Sequence, residues 1–385
     1  MCRIFRNFAD IMRFTDIYGH DSAKAELVRM ADSGRIPHAL LISGPSGIGK
    51  MKLACAFAQY VHCENPQNGD SCGVCPSCRR AASLSDPDVR YSYPVLKKSP
   101  GKPVYSTDFA EEWKQMLRDS PEMDFRRWQL LINAENKQPM IYADEADDIS
   151  YNANLSSFAK KEKIFIIWLP EKLNEAASNK LLKILEEPFP DTYFILVSNE
   201  PQLLLQTILS RTRRLNVKPF TENEIAEWLT KVRGIPTDHA LALAPMAEGS
   251  LLKAAEVAGG AGENDEFGEM YRDMMRAAYQ VSMTKLRDLS ESIAGFGREK
   301  AIRFLDYVAR MTRENFIFNL QYPALNRMTD DEVVFSTRFS RFVNERNVEA
   351  MISETDKARG DIARNANGKI LFFDYLLKLA VLLRR

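Results

Sequence analysis

A glycine-rich loop, Gly44-Pro-Ser-Gly-Ile-Gly-Lys50, stands between the apolar run His38-Ala-Leu-Leu-Ile-Ser43 and a helical pattern from Lys50 to Val61. In that order, strand, loop and helix bring backbone amides together around a phosphate: glycines permit the tight turn, and the helix N-terminus adds positive potential. Two further runs, Lys163-Ile-Phe-Ile-Ile-Trp-Leu169 and Thr192-Tyr-Phe-Ile-Leu-Val-Ser198, read as buried strands. Between them Asn174 to Glu187 reads as a helix stopped by Pro188. Strands alternating with helices around a phosphate loop predict a parallel sheet covered on both faces. Pro219 marks a boundary. Beyond it every strong pattern is helical, over 222–232, 238–247, 250–258 and longer amphipathic stretches to Arg385, with Gly259-Gly-Ala-Gly262 as the expected linker.

The loop is followed after thirteen residues by Cys63, Cys72, Cys75 and Cys78, a C-x8-C-x2-C-x2-C cluster. Four thiolates at this spacing can close a tetrahedron around zinc with no open position, which makes a structural site. A disulfide framework is the alternative. The sequence opens with no secretory leader pattern, so reduced thiols, and hence zinc, are expected. His62 adjoins Cys63 and competes as a ligand only if a cysteine is spare. Cys55, in Leu53-Ala-Cys-Ala-Phe57, reads as a buried core residue, and Cys2 is left over.

At 385 residues the chain is expected to hold two or three domains. Its 52 basic and 52 acidic side chains give no global pull toward nucleic acid, so any such contact must come from a local patch or from partner chains. The longest apolar runs are too short to span a bilayer, and a cytoplasmic location is expected. Met12, just before Arg13-Phe-Thr-Asp-Ile17, reads as the true start, because Met1 to Ile11 carries no recognisable pattern.

The loop lacks part of the machinery for hydrolysis. Lys50 offers a point charge to outer phosphates, but the following position, where a hydroxyl would hold magnesium, is Met51. Gly44, Gly47, Gly49 and Lys50 remain compatible with ATP or ADP. Asp144-Glu-Ala-Asp-Asp148 resembles a magnesium-binding acidic box, yet Gln138-Pro-Met-Ile-Tyr-Ala143 before it makes a poor core strand. It reads better as a helix start with capping acids.

Several segments together carry a resemblance to a known family: Phe14-Thr-Asp-Ile-Tyr-Gly19, Gly34-Arg-Ile-Pro-His-Ala39, the glycine loop, the cysteine module, Asn179-Lys-Leu-Leu-Lys-Ile-Leu-Glu-Glu-Pro188 and Thr207-Ile-Leu-Ser-Arg-Thr212. They resemble the AAA+ subunits of the bacterial DNA polymerase III sliding-clamp loader. The resemblance covers about Arg13 to Pro219, apart from a divergent stretch over 85–160, and returns in Asp361-Ile-Ala-Arg-Asn-Ala-Asn-Gly-Lys-Ile370. It implies an AAA+ P-loop core with inserted zinc module (13–218), a small helical lid (219–260) and an all-α collar domain (263–385). It also implies gamma/tau and delta subunits, the sliding clamp and primed DNA as partners in a hetero-oligomer.

Within this family an ATP-hydrolysing gamma/tau motor and a non-hydrolysing delta-prime class must be separated. The motor ends the strand before its Asn-x-Leu-Leu-Lys helix in an Asp-Glu pair; counting back from Asn179 places Trp168 and Leu169 there, with Glu171 two residues past the catalytic position. The motor's lid arginine after Gly-Ser is matched by Leu252, with Lys253 as a neighbouring substitute. Magnesium ligand, acids and sensor are missing together, which favours the delta-prime class; the motor is the alternative, and an AAA+ remodelling protein unrelated to replication is a further rival. Ser210-Arg211-Thr212 resembles the motif whose arginine reaches a neighbour's ATP site, so Arg211 is expected to act in trans, against the plainer reading of Arg211, Arg213 and Arg214 as a solvated cluster. Lys180 and Lys183, three apart on a helix that faces primed DNA in the family, fit both phosphate contact and a solvated face. His38, Trp113, Trp128 and Phe316-Ile-Phe318 read as packing residues. Ile370 to Leu383 is apolar nearly all round, as a helix packed in its own bundle and a collar would be.

Overall fold

The computed structural model describes residues 13–384 apart from 98–100, 120, 121, 124, 135, 136, 159–161, 188, 259–262, 323, 324 and 365. The expected start at Met12, Cys2, the helix stop at Pro188, the linker Gly259–Gly262 and Asn365 of the C-terminal signature lie outside the described residues. The chain divides into two compact units, with the division between Ala258 and Gly259.

The first unit is built on β1 (Ala39–Ser43), β2 (Val89–Ser92), β3 (Lys163–Trp168), β4 (Thr192–Ser198) and β5 (Arg213–Asn216). They form one sheet in the order β2-β3-β4-β1-β5, parallel throughout. Parallel strands covered on both faces must be apolar on both, and β1, β3 and β4 are buried almost end to end. Alternate residues divide between two cores. Leu40, Ile42, Ile164, Ile166, Ile195 and Val197 face one, and Ala39, Leu41, Phe165, Ile167, Phe194 and Leu196 face the other.

The first core packs α1 (Asp21–Asp32) and α2 (Lys50–His62) on the sheet; α3 (Pro76–Ala82) carries the last cysteine. Between β2 and β3 run α4 (Ala110–Asp119), α5 (Phe125–Leu131) and α6 (Ala143–Asn154). The second core holds residues of α6, of α7 (Glu175–Glu186) and of α8 (Gln206–Arg211). After β5 come α9 (Glu222–Arg233), α10 (Thr237–Leu243) and α11 (Leu251–Ala258), whose Ile225, Leu229, Ala240 and Leu251 join the first core. Thr221 starts α9 with a capping box closed by Glu224.

The second unit is helical: α12 (Glu263–Gln280), α13 (Met283–Ala294), α14 (Arg298–Asn319), α15 (Asp330–Phe339), α16 (Val348–Ala363) and α17 (Gly368–Leu382). Phe372, Tyr375, Leu376 and Leu379 of α17 enter its core, while Ile370 and Val381 of the same helix are exposed.

The segment 85–142, part of the divergent stretch, supplies an edge strand and two helices. It is fastened by aromatic packing. Trp113 stacks on Tyr93 at a ring separation of 4.0 Å and lies 5.4 Å from Trp168 at the end of β3. Trp128, fully buried, donates its indole N–H to the Pro94 carbonyl at 2.7 Å and meets Trp113 edge-on at 5.5 Å. Trp168, at the end of β3, is thus the floor of an aromatic cluster. Trp168→Asp is expected to destabilise the chain by about 4 kcal/mol or more, from the cavity plus an unpaired buried charge. Urea unfolding of the variant checks this; an unchanged midpoint would show that the cluster is dispensable.

Candidate functional site: phosphate loop, cysteine cluster and Arg211

The phosphate loop leaves the C-terminal end of β1, the side of a parallel sheet where ligands bind. Its glycines are demanded by geometry. A Cβ on Gly44 would lie 2.3 Å from the Val217 carbonyl oxygen, and one on Gly47 would lie 2.3 Å from Ser250 Oγ and 2.6 Å from Leu252 Cβ. The second clash locates a contact that the sequence does not announce. The Gly249-Ser250-Leu251-Leu252 turn lies directly on the loop, and the Leu252 amide donates to the Gly47 carbonyl at 3.2 Å.

Lys50 is buried, and its ammonium donates to the Pro45 carbonyl of its own loop. Burial pushes its pKa down to about 7, offset in part by the negative charge of Glu171. Met51 is buried behind it, and Trp168 and Leu169 are both core residues. Glu171 accepts from the amides of Asn199 at 2.8 Å and Glu200 at 3.2 Å. Lys253 is paired with Glu248 at 2.5 Å. The acids at 144–148 start α6 and are engaged one by one: Asp144 with Lys97 at 3.5 Å, Asp147 with Lys180 at 2.5 Å and Asp148 with Arg90 at 3.7 Å. Buried Glu145 accepts from the Ser92 hydroxyl at 2.6 Å and the Ser106 amide at 2.7 Å. These contacts brace the start of α6.

The sulfur atoms of Cys63, Cys72, Cys75 and Cys78 lie within 4.8 Å of one another. Four thiolates about 2.3 Å from a tetrahedral zinc would be roughly 3.8 Å apart, and Cys72 and Cys78 are separated by 3.9 Å. Amides are turned onto the sulfurs, from Cys72 to Cys63 at 3.2 Å, from Cys75 to Cys72 at 3.3 Å and from Cys78 to Cys75 at 3.4 Å. The Val74 amide, foremost, brings the Cys72 thiol down to about 6, while burial raises Cys63 and Cys78. Such a donor set fits zinc, whose charge would ionise the raised thiols. His62 spends both ring nitrogens elsewhere, on Asp86 at 3.2 Å and the Glu162 carbonyl at 3.1 Å, and is no ligand. Cys55 is core, its thiol pushed up to about 12 by burial.

Arg211 ends α8, where the helix dipole favours a cation. Its Nη1 donates to the Thr207 carbonyl at 3.0 Å, and its Nη2 meets Glu186 at 2.7 Å. Arg213 pairs with Glu26 at 3.0 Å, and Arg214 is exposed on β5. Of the two lysines on α7, Lys183 is exposed and Lys180 is held by Asp147. Three regions of one α/β unit therefore carry the candidate chemistry: a closed phosphate loop, a thiolate cage and a surface guanidinium.

The family model described as DNA polymerase III, delta subunit, matches residues 19–221, which take in all three. The chain belongs to this family. DNA polymerase III subunit delta′ of Escherichia coli (strain K12) is 28% identical over 227 residues, 58% of this chain and 55% of that protein. The counterpart from Haemophilus influenzae is 26% identical over 305 residues, 79% of this chain and 78% of its own length. DNA polymerase III subunit tau of Bacillus subtilis is 27% identical over 230 residues, 60% of this chain and 32% of that protein. The chain thus spans about half the length of the Escherichia coli relative it matches. In this member of the family the phosphate loop follows β1 of a five-stranded parallel sheet, and the cysteine module is inserted after α2.

Two measurements test these sites. Because Lys50 is lowered in the folded state to about 7, against about 10.4 unfolded, the unfolded chain binds more protons between those values, and stability rises with pH across that window. Lys50→Met is expected to flatten this slope and raise stability at pH 7 by on the order of a few kcal/mol; a slope unaltered by the substitution would contradict the buried lysine. The purified chain is expected to release one equivalent of zinc on thiol modification and to lose thermal stability with chelator. Cys75→Ser should weaken zinc retention, and a metal-free wild type of equal stability would refute the cage.

Proposed function

We propose that this chain is the non-hydrolysing delta-prime subunit of a bacterial clamp loader. It would help to load the sliding clamp on primed DNA alongside gamma/tau and delta subunits in the cytoplasm. In this reading residues 13–218 are the AAA+ core, 219–260 the lid and 263–385 the collar through which it assembles. Arg211 is an arginine finger that enters the ATP site of the adjacent motor subunit.

The observation that carries this reading is the state of the phosphate loop. Leu252 and Ser250 sit on Gly47, Lys50 turns back to Pro45, and Trp168 and Leu169 fill the acid positions. A magnesium-dependent hydrolase needs oxygen ligands for its metal and a carboxylate to orient water. Here the sites at which it would place them are a thioether, an indole and an isobutyl group. The gamma/tau motor reading has the Gly44–Lys50 loop in its favour, together with similarity to tau. It would have to recruit acids from 144–148 that are already engaged in ion pairs and helix bracing.

Arg211 remains at the surface, where a guanidinium can reach another chain and stabilise charge that builds on a transferring phosphoryl group. Lys180 and Lys183 are the candidate contacts to DNA phosphates, and their share of that binding would be small in a chain of zero net charge. Loss of an arginine finger costs about 10³-fold or more where hydrolysis depends on it. The chain alone is therefore expected to show no ATP turnover, and Arg211→Ala to lower turnover at the adjacent site in a mixture with the gamma/tau and delta subunits. Steady-state phosphate release checks both, and robust magnesium-dependent turnover by the isolated chain would overturn the proposal.

A further inference from the structure

The guanidinium of Arg211 is not free to meet an incoming phosphate. One edge is tied to its own helix, through Nη1 to the Thr207 carbonyl at 3.0 Å, with Ser210 Oγ at 3.5 Å. The other edge is tied to a different helix, through Nη2 to Glu186 at 2.7 Å. The two ties differ in kind. Thr207 is one turn back along α8, so its bond moves with the arginine and fixes the root of the side chain. Glu186 is the last residue of α7 and holds the arginine by charge, on an N–H that a phosphate oxygen would also take.

We propose that Glu186 is a positioning residue for Arg211, an intrachain latch that parks the guanidinium until a phosphate displaces the carboxylate. The proposal rests on the reading of Arg211 as a finger acting in trans. Both side chains are placed for an exchange. Arg211 is 35% exposed and Glu186 47%, so the carboxylate can return to water when released, at a cost far below that of stranding a buried charge. An exposed ion pair of this kind is weak enough to break and strong enough to bias the resting rotamer. A dianionic phosphate group, meeting the guanidinium in a drier intersubunit site, offers more charge at a lower dielectric than a solvated carboxylate does.

The consequence is a measurable competition. Each productive engagement of the finger must first break the bond to Glu186, so its removal should favour engagement. In loader mixtures assembled from the full-length chain and its motor and delta subunits, Glu186→Gln is expected to raise steady-state ATP turnover about two- to fivefold, the range that a surface pair of this strength allows. Glu186→Asp, too short to hold the same contact, should act in the same direction. In the Arg211→Ala background the Glu186→Gln change should have no effect, because there is nothing left to latch. Melting temperature and recovery of the assembled complex, measured on the same variants, separate a latch from a merely structural role, since neither should move.

The outcomes distinguish the latch from the reading beneath it. If Arg211→Ala lowers turnover while Glu186→Gln leaves it unchanged or lowers it, the latch is refuted and the finger stands. Should Arg211→Ala leave turnover unchanged, the finger is refuted and the latch falls with it. A rise with Glu186→Gln that persists in the Arg211→Ala background would show that Glu186 acts through another group and would also overturn the latch.

Discussion

The first unit depends on what stands at the end of β3. A strand that finishes in carboxylates keeps its C-terminal edge wet and open to a metal. One that finishes in Trp168 and Leu169 offers an apolar floor that must be covered. The cover is the segment between β2 and α6. Trp113, Trp128 and Phe125 pack over Trp168 with ring centroids 5.4 to 6.4 Å apart, and Tyr93 stacks behind them. The apolar end of β3 and the aromatic layer over it therefore depend on each other: the indole of Trp168 without the layer would be exposed, and a carboxylate beneath the layer would be a buried, unpaired charge.

The same logic closes the loop after β1. A glycine loop binds phosphate because its amides and its lysine have no better partner inside the chain. Here the Pro45 carbonyl takes the lysine, and Leu252 and Ser250 rest where Gly47 leaves room. The absence of side chains that once permits close approach of a ligand permits close approach of the chain's own turn. Glu171 holds Asn199 and Glu200 in place beside the loop, and its negative charge offsets part of the lowering that burial imposes on Lys50. The loop thereby joins the sheet to the helices that follow Pro219, through the contact of Gly47 with Ser250 and Leu252.

Much of this was legible in the sequence because it rests on period and spacing. β3 and β4 fall within one residue of the apolar runs that announce them, and α7 begins beside Asn174, whose side chain caps the Ala177 amide at 2.8 Å. The four cysteines sit at a spacing that almost fixes their chemistry. What stayed hidden depends on the partner rather than the residue. β2 reads Val-Arg-Tyr-Ser in a region rich in Pro and Asp, and is a strand because Ile164 to Ile167 pair with it. β5, with only Leu215 buried, borrows its order from β1. Trp113 and Trp128 could be assigned to a core but not to a particular one, since nothing local points at Trp168. The meeting of Leu252 with Gly47, and of Glu186 with Arg211, joins residues far apart in the chain through tertiary packing alone.

Those last pairings follow a pattern. Most of the cations that the resemblance singles out are paired inside this chain: Arg211 with Glu186 and Lys180 with Asp147, the candidates for contact with other molecules, and Lys253, the lid's substitute, with Glu248. With 52 charges of each sign, the chain sets these three cations beside carboxylates, while Lys183 is exposed on α7. Affinity for a distant polyanion is thereby kept low, because a phosphate in bulk water gains little over a carboxylate already in contact. The balance changes only where a neighbouring subunit excludes water and presents its phosphates at fixed positions, which strengthens the new pairing and avoids much of the entropy cost of a free encounter. In the proposed assembly, selectivity for the assembled state would need no switch in the fold, only surface ion pairs weak enough to be exchanged.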